Sequence, residues 1–82
     1  MTTTMKAMTC RQLGGPCDLE LRGATADEVI KLQDRHLREA AAGGDAAHAP
    51  AHEQMKARWR HPVRAMGWYG ATKKAFAELP GD

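Results

Sequence analysis

Aromatic residues are scarce in this sequence: one Phe, one Tyr and two Trp among 82 residues. A core built from it must lean on Leu, Val, Ile, Met and Ala. A chain of this length buries only about 60–65% of its unfolded surface, so its core is marginal and a staple such as a metal is a common remedy. Long apolar runs are also missing. No stretch approaches the roughly 18 apolar residues of a membrane span. The opening Met1-Thr2-Thr3-Thr4-Met5-Lys6 lacks the apolar run of a secretory signal. The expected compartment is the cytoplasm, with no membrane partner. The net charge of +2 and the pI of 8.7 are too modest to imply a nucleic-acid partner on their own. Cysteine is limited to Cys10 and Cys17, and neither forms a Cys-x-x-Cys redox motif. In a reducing compartment such a pair reads as metal ligands or free thiols before it reads as a disulfide.

What is present describes an ordinary globular chain, 43% hydrophobic and 27% charged. Residues 5–10 alternate weakly and suit a short strand. Gly14-Gly15-Pro16 is the strongest turn signal in the chain. Residues 17–22 (Cys-Asp-Leu-Glu-Leu-Arg) alternate with period two, which places Cys17, Leu19 and Leu21 on one strand face. Thr25-Ala26-Asp27-Glu28 is a capping box, and a helix follows to Gly43-Gly44. At 100° per residue its apolar half carries Val29, Ile30, Leu32, Gln33, His36, Leu37, Ala40 and Ala41. Asp27, Glu28, Lys31, Asp34, Arg35, Arg38 and Glu39 fall on the other half. Residues 43–50 read as a linker. Pro50 suits the first turn of a second helix over about 51–60, in which Met55 and Trp59 would share the buried face. Pro62 redirects the chain. A third helix is expected over 68–78, with Tyr69, Thr72, Phe76 and Leu79 on one face.

These elements predict one α+β domain, residues 1–82. An N-terminal β-hairpin packs on an α-helix, followed by one or two short C-terminal helices. Residues 5–42 form its ββα half, 43–50 a linker and 51–79 a helical half.

The candidate site lies in the first half. Cys10 and Cys17 flank the turn, so a hairpin brings their sulfurs together, and His36 can approach from the helix. Thiolate and imidazole are the ligands Zn²⁺ prefers, in tetrahedral geometry. His48 and His52 are both candidates for the fourth ligand. His52 is preferred because its helix must fold back on the core; a water ligand is the other option. The competing reading is core packing, since buried Cys fills space well and a histidine on an apolar face is commonly a hydrogen-bonded core residue.

The string Thr9-Cys10-Arg11-Gln12-Leu13-Gly14-Gly15-Pro16-Cys17-Asp18, followed by Gly23, Thr25, a helix and His36, resembles a bacterial family of small proteins of unknown function labelled predicted small metal-binding proteins. The resemblance covers about residues 5–42. It implies metal binding through the two cysteines and His36, and it supplies no reaction. The family carries a second histidine shortly after the first, on the same helix. Here that place falls in Ala40-Ala41-Ala42-Gly43.

The basic excess belongs to residues 51–82, where Lys56, Arg58, Arg60, Arg64, Lys73 and Lys74 face only Glu53, Glu78 and Asp82. Basic and aromatic residues interleave over 56–69, a pattern that suits a protein partner or weak nucleic-acid binding. The stronger expectation makes Trp59 and Trp68 the main core anchors of the domain, with Arg58, Arg60 and Arg64 lining a solvated face. Cys10 or Cys17 with His36 is the one catalytic pairing to name, and nothing in the sequence orients that histidine or builds an oxyanion site. Gly14-Gly15 is no phosphate loop, because no Lys-Ser or Lys-Thr follows. The expectation is a non-enzymatic protein holding one structural zinc ion.

Overall fold

The computed structural model describes residues 5–80. Strand β1 (Lys6–Thr9) pairs antiparallel with β2 (Glu20–Gly23), with Met8 opposite Leu21 and Thr9 opposite Glu20. Helices α1 (Ala26–Ala42), α2 (Ala49–Arg60) and α3 (Pro62–Glu78) follow. The fold is α+β, a hairpin followed by three helices.

The long hairpin connection folds on itself. Cys10 N donates to Leu19 O at 2.9 Å, and Arg11 N donates to Cys17 O at 2.8 Å. These bonds draw residues 17–19 into the loop, so the second strand begins at Glu20 rather than Cys17. The expected shared face of Cys17, Leu19 and Leu21 is therefore corrected: Leu21 is buried, while Leu19 is 47% exposed. Residues Arg11–Leu13 make one turn of tight helix, and Gly14 leaves it in the left-handed region at φ 102°. A residue with a Cβ pays a steric cost there that glycine does not.

Helix α1 starts where the capping box places it. Thr25 Oγ1 accepts from Glu28 N at 3.2 Å, and Glu28 Oε2 accepts from Ala24 N at 2.7 Å, one residue before the cap amide. The buried stripe of α1 runs through Ala26, Val29, Ile30, Gln33 and Leu37. Asp34, expected on the polar half, is also buried. The Trp59 side chain and the positive charge of Arg58, both on α2, offset part of that burial.

Two expectations for the second half are revised. The segment 43–50 is not a plain linker, because Ala46–His48 form a single helical turn before α2. Asp45 Oδ1 caps that turn by accepting from Ala47 N at 3.0 Å. The third helix starts at Pro62, six residues earlier than expected. Proline has no amide to leave unpaired at a helix start, so the residue that ends one helix opens the next.

The apolar interior has two parts. Met8, Leu13, Leu21, Ala26, Val29 and Phe76 form one cluster, with Trp68 and Leu79 packed against it. Lys6 ties β1 to the end of α3, donating through Nζ to Phe76 O and Ala77 O at 3.2 and 3.1 Å. Cys10, Leu37, Ala51 and Met55 form the smaller cluster, flanked by Cys17. Trp59 belongs to neither. It is 67% exposed, which overturns its expected place beside buried Met55.

Candidate metal centre

The smaller cluster is where the chemistry collects. The loop folding described above puts Cys10 directly after β1 and turns Cys17 back toward it. Helix α1 presents His36 one turn after buried Gln33 and directly before buried Leu37. The turn capped by Asp45 presents His48. One ligand-type atom from each of Cys10, Cys17, His36 and His48 lies within 4.8 Å of all the others. Cys17 Sγ is 3.4 Å from His36 Nε2 and 3.4 Å from His48 Nε2. The two imidazole rings meet edge to face, with centroids 4.9 Å apart at 87°. They thus reach the same sulfur from different directions.

These separations fit a metal ion. Zn–S bonds of about 2.3 Å and Zn–N bonds of about 2.0 Å put the corners of a tetrahedron roughly 3.3–3.8 Å apart. A set of four atoms within 4.8 Å needs little movement to close on one ion. Two sulfurs and two imidazole nitrogens are also the donor set that suits zinc.

His48 is buried at 6% exposure, and its Nδ1 donates to Asp45 Oδ2 at 2.8 Å. A carboxylate only accepts, so this bond fixes the hydrogen on Nδ1 and turns the Nε2 lone pair of the neutral ring toward Cys17. Asp45 therefore does two jobs, capping the turn and setting the tautomer.

The local electrostatics separate the two thiols. Burial pushes the Cys10 thiol up. The Cys17 thiol is pulled down, first by the Leu19 backbone amide and then by His48. His48 is held above the ordinary histidine range by its bond to Cys17 and its contact with Asp45. His36 is held below that range, by burial and then by the charge of His48.

Around Cys10 the packing is close. Its carbonyl accepts from Leu13 N at 3.1 Å and Gly15 N at 2.8 Å. A Cβ at Gly15 would overlap Cys10 Sγ. Gln33, fully buried, donates through Nε2 to Cys10 Sγ at 3.3 Å and to Cys10 O at 3.4 Å. Its Oε1 is buried with no hydrogen-bond partner among the described residues. Leaving such an acceptor unpaired costs on the order of 1–3 kcal/mol.

The structure thus brings together Cys10, Cys17 and His36 as the sequence suggests, with His48 as the fourth. His52, the preferred fourth ligand, is not in the cluster. It sits on α2, lining a shallow surface depression with Ala49, Glu53 and Lys56. The signal that points to His48 is Asp45, an acidic cap three residues before it that converts an apparent linker into an ordered turn. No known family model, curated protein or solved structure matches this chain.

Proposed function

We propose that this protein binds one zinc ion through Cys10, Cys17, His36 and His48, and that the ion serves its fold rather than a reaction. The observation that carries this reading is the convergence of four donor atoms from three separate segments within 4.8 Å. Four protein ligands leave no open coordination position, which is the pattern of a structural site. The need is also apparent. Apart from the ligand Cys10, the cluster at the site has three buried residues among those described, Leu37, Ala51 and Met55, so an ion there would tie the hairpin loop, α1 and the start of α2. The resemblance of residues 5–42 to the predicted small metal-binding proteins points the same way, with His48 standing in for the family's second histidine.

A nucleophilic reading has one observation in its favour, the line Cys17–His48–Asp45. It is the weaker reading because His36 addresses the same sulfur at the same distance. A nucleophile uses one base, whereas a ligand set uses both imidazoles. A cytoplasmic location is part of the proposal, since reduced thiols are what the ion requires. The structural observation there is narrower: no helix among the described residues is long and apolar enough to cross a membrane.

A partner-binding reading rests on a different surface. Trp59, Val63 and Met66 are 67%, 79% and 67% exposed around the α2–α3 junction, beside Arg60 and Arg64. Arg58 stacks over the Trp68 ring at 3.9 Å and is therefore engaged within the fold.

The test is zinc titration of tag-free, reduced protein, followed by chelation. Zinc should bind at about one ion per chain and raise the melting temperature, and a chelator should reverse both. Cys17→Ser should lose both effects. A chain that takes up no zinc and melts identically with and without chelator overturns the proposal.

A further inference from the structure

Gln33 is the polar residue that the zinc reading leaves unexplained. It lies on the buried stripe of α1, between Ile30 and Leu37, at 0% exposure. A Leu or Met there would pack without polar cost. Instead the amide is aimed at one residue, with Nε2 reaching both Cys10 Sγ and Cys10 O. Gly15 leaves room for this approach, because a Cβ there would lie 3.1 Å from Gln33 Nε2 as well as overlapping the sulfur. The other end of the amide, Oε1, is unpartnered among the described residues. The side chain is thus committed to donating, at the expense of its own acceptor.

An N–H donor is worth most where the acceptor carries charge. Cys10 offers such an acceptor only when its sulfur is a thiolate, and a metal ion is what keeps a fully buried sulfur in that form. We propose that Gln33 is a positioning residue of the metal site, donating an N–H···S hydrogen bond that orients the Cys10 thiolate and lowers its electron-donating strength toward the ion. This inference rests on the zinc reading above. Outer partners of this kind hold ligands in orientation and tune the metal they bind.

The experiment uses the full chain loaded with cobalt(II) as a coloured stand-in for zinc, comparing wild type with Gln33→Met. Methionine approximates the length of glutamine without the amide. Loaded Gln33→Met should keep the intense visible bands of a four-coordinate site. Its sulfur-to-cobalt charge-transfer band should move to longer wavelength, since a thiolate freed of its donor gives up electron density more easily. Zinc affinity should fall about 10- to 100-fold, the usual effect of losing an outer partner. A packing role would not move the band. Loaded Gln33→Met with an unshifted band and wild-type affinity overturns the proposal.

Should Gln33→Met not fold, the wild-type chain decides the question. With an NMR-active cadmium isotope bound, the Gln33 side-chain amide protons should shift downfield and couple to the metal across the hydrogen bond. Amide protons that neither shift nor couple overturn the proposal. Wild-type protein that binds neither cobalt nor cadmium would defeat the metal reading itself, which is a separate and recognisable outcome.

Discussion

His48 donates through Nδ1 to Asp45 Oδ2 at 2.8 Å, and its Nε2 stands 3.4 Å from Cys17 Sγ. One carboxylate thus determines which nitrogen faces the sulfur cluster. The same carboxylate caps the turn that carries the histidine. Asp45→Ala should therefore weaken zinc binding about 10- to 100-fold, measured by competition with a coloured chelator. Unchanged affinity would mean that packing alone aims the ring.

Gly14 and Gly15 are adjacent and should respond differently. A Cβ at Gly14 meets nothing within 4 Å, but its φ of 102° strains any other residue. Gly14→Ala should cost about 1 kcal/mol of stability and leave zinc affinity intact. Gly15→Ala drives a methyl into Cys10 Sγ. It should cost about 1–3 kcal/mol through overpacking and also reduce zinc affinity. Denaturant unfolding with and without zinc separates the two effects.

Met55 and Trp59 reverse the usual expectation that the larger aromatic matters more. Met55 is 3% exposed and Trp59 is 67% exposed. Met55→Ala should cost about 2–5 kcal/mol, as for other buried methionines. Trp59→Ala should cost less, about 1–3 kcal/mol, through the buried Asp34 carboxylate that the Trp59 side chain helps to stabilise. Equal losses in thermal unfolding would place Trp59 in the core after all.

Protons and zinc compete for the same atoms. His48 and both thiols must give up protons for the ion to bind. His48 holds its proton above the ordinary histidine range through Cys17 and Asp45. Zinc affinity should therefore rise with pH through the imidazole range and fall as the solution is acidified, with proton release on binding. Calorimetry in buffers of different ionisation enthalpy counts those protons. Binding that takes place without proton release would contradict the ligand set.

The legible part of this fold was the part governed by local rules. Thr25 and Glu28 mark the start of α1, and the 3.6-residue period places Val29, Gln33 and Leu37 on its buried face. Cys10, Cys17 and His36 stand out because two thiols flank a turn and an imidazole sits on an apolar stripe. Non-local effects hid the rest. Bonds from Cys10 and Arg11 across the loop pull Leu19 out of the strand. Ala51 and Met55 are buried on α2, whereas Trp59, four residues further on and next to the last residue of that helix, is 67% exposed. Trp59 then meets Asp34, and neither lies where its residue type suggests. His48 was obscured by a Gly-, Ala- and Pro-rich segment whose order depends on Asp45 and on contact with Cys17.

Zinc content per chain, measured on reduced, tag-free wild type beside His48→Ala and His52→Ala, tests the central claim most directly. The account predicts about one zinc ion in wild type and in His52→Ala, and loss of that ion in His48→Ala. No zinc in wild type, or zinc retained in His48→Ala and lost in His52→Ala, would contradict it.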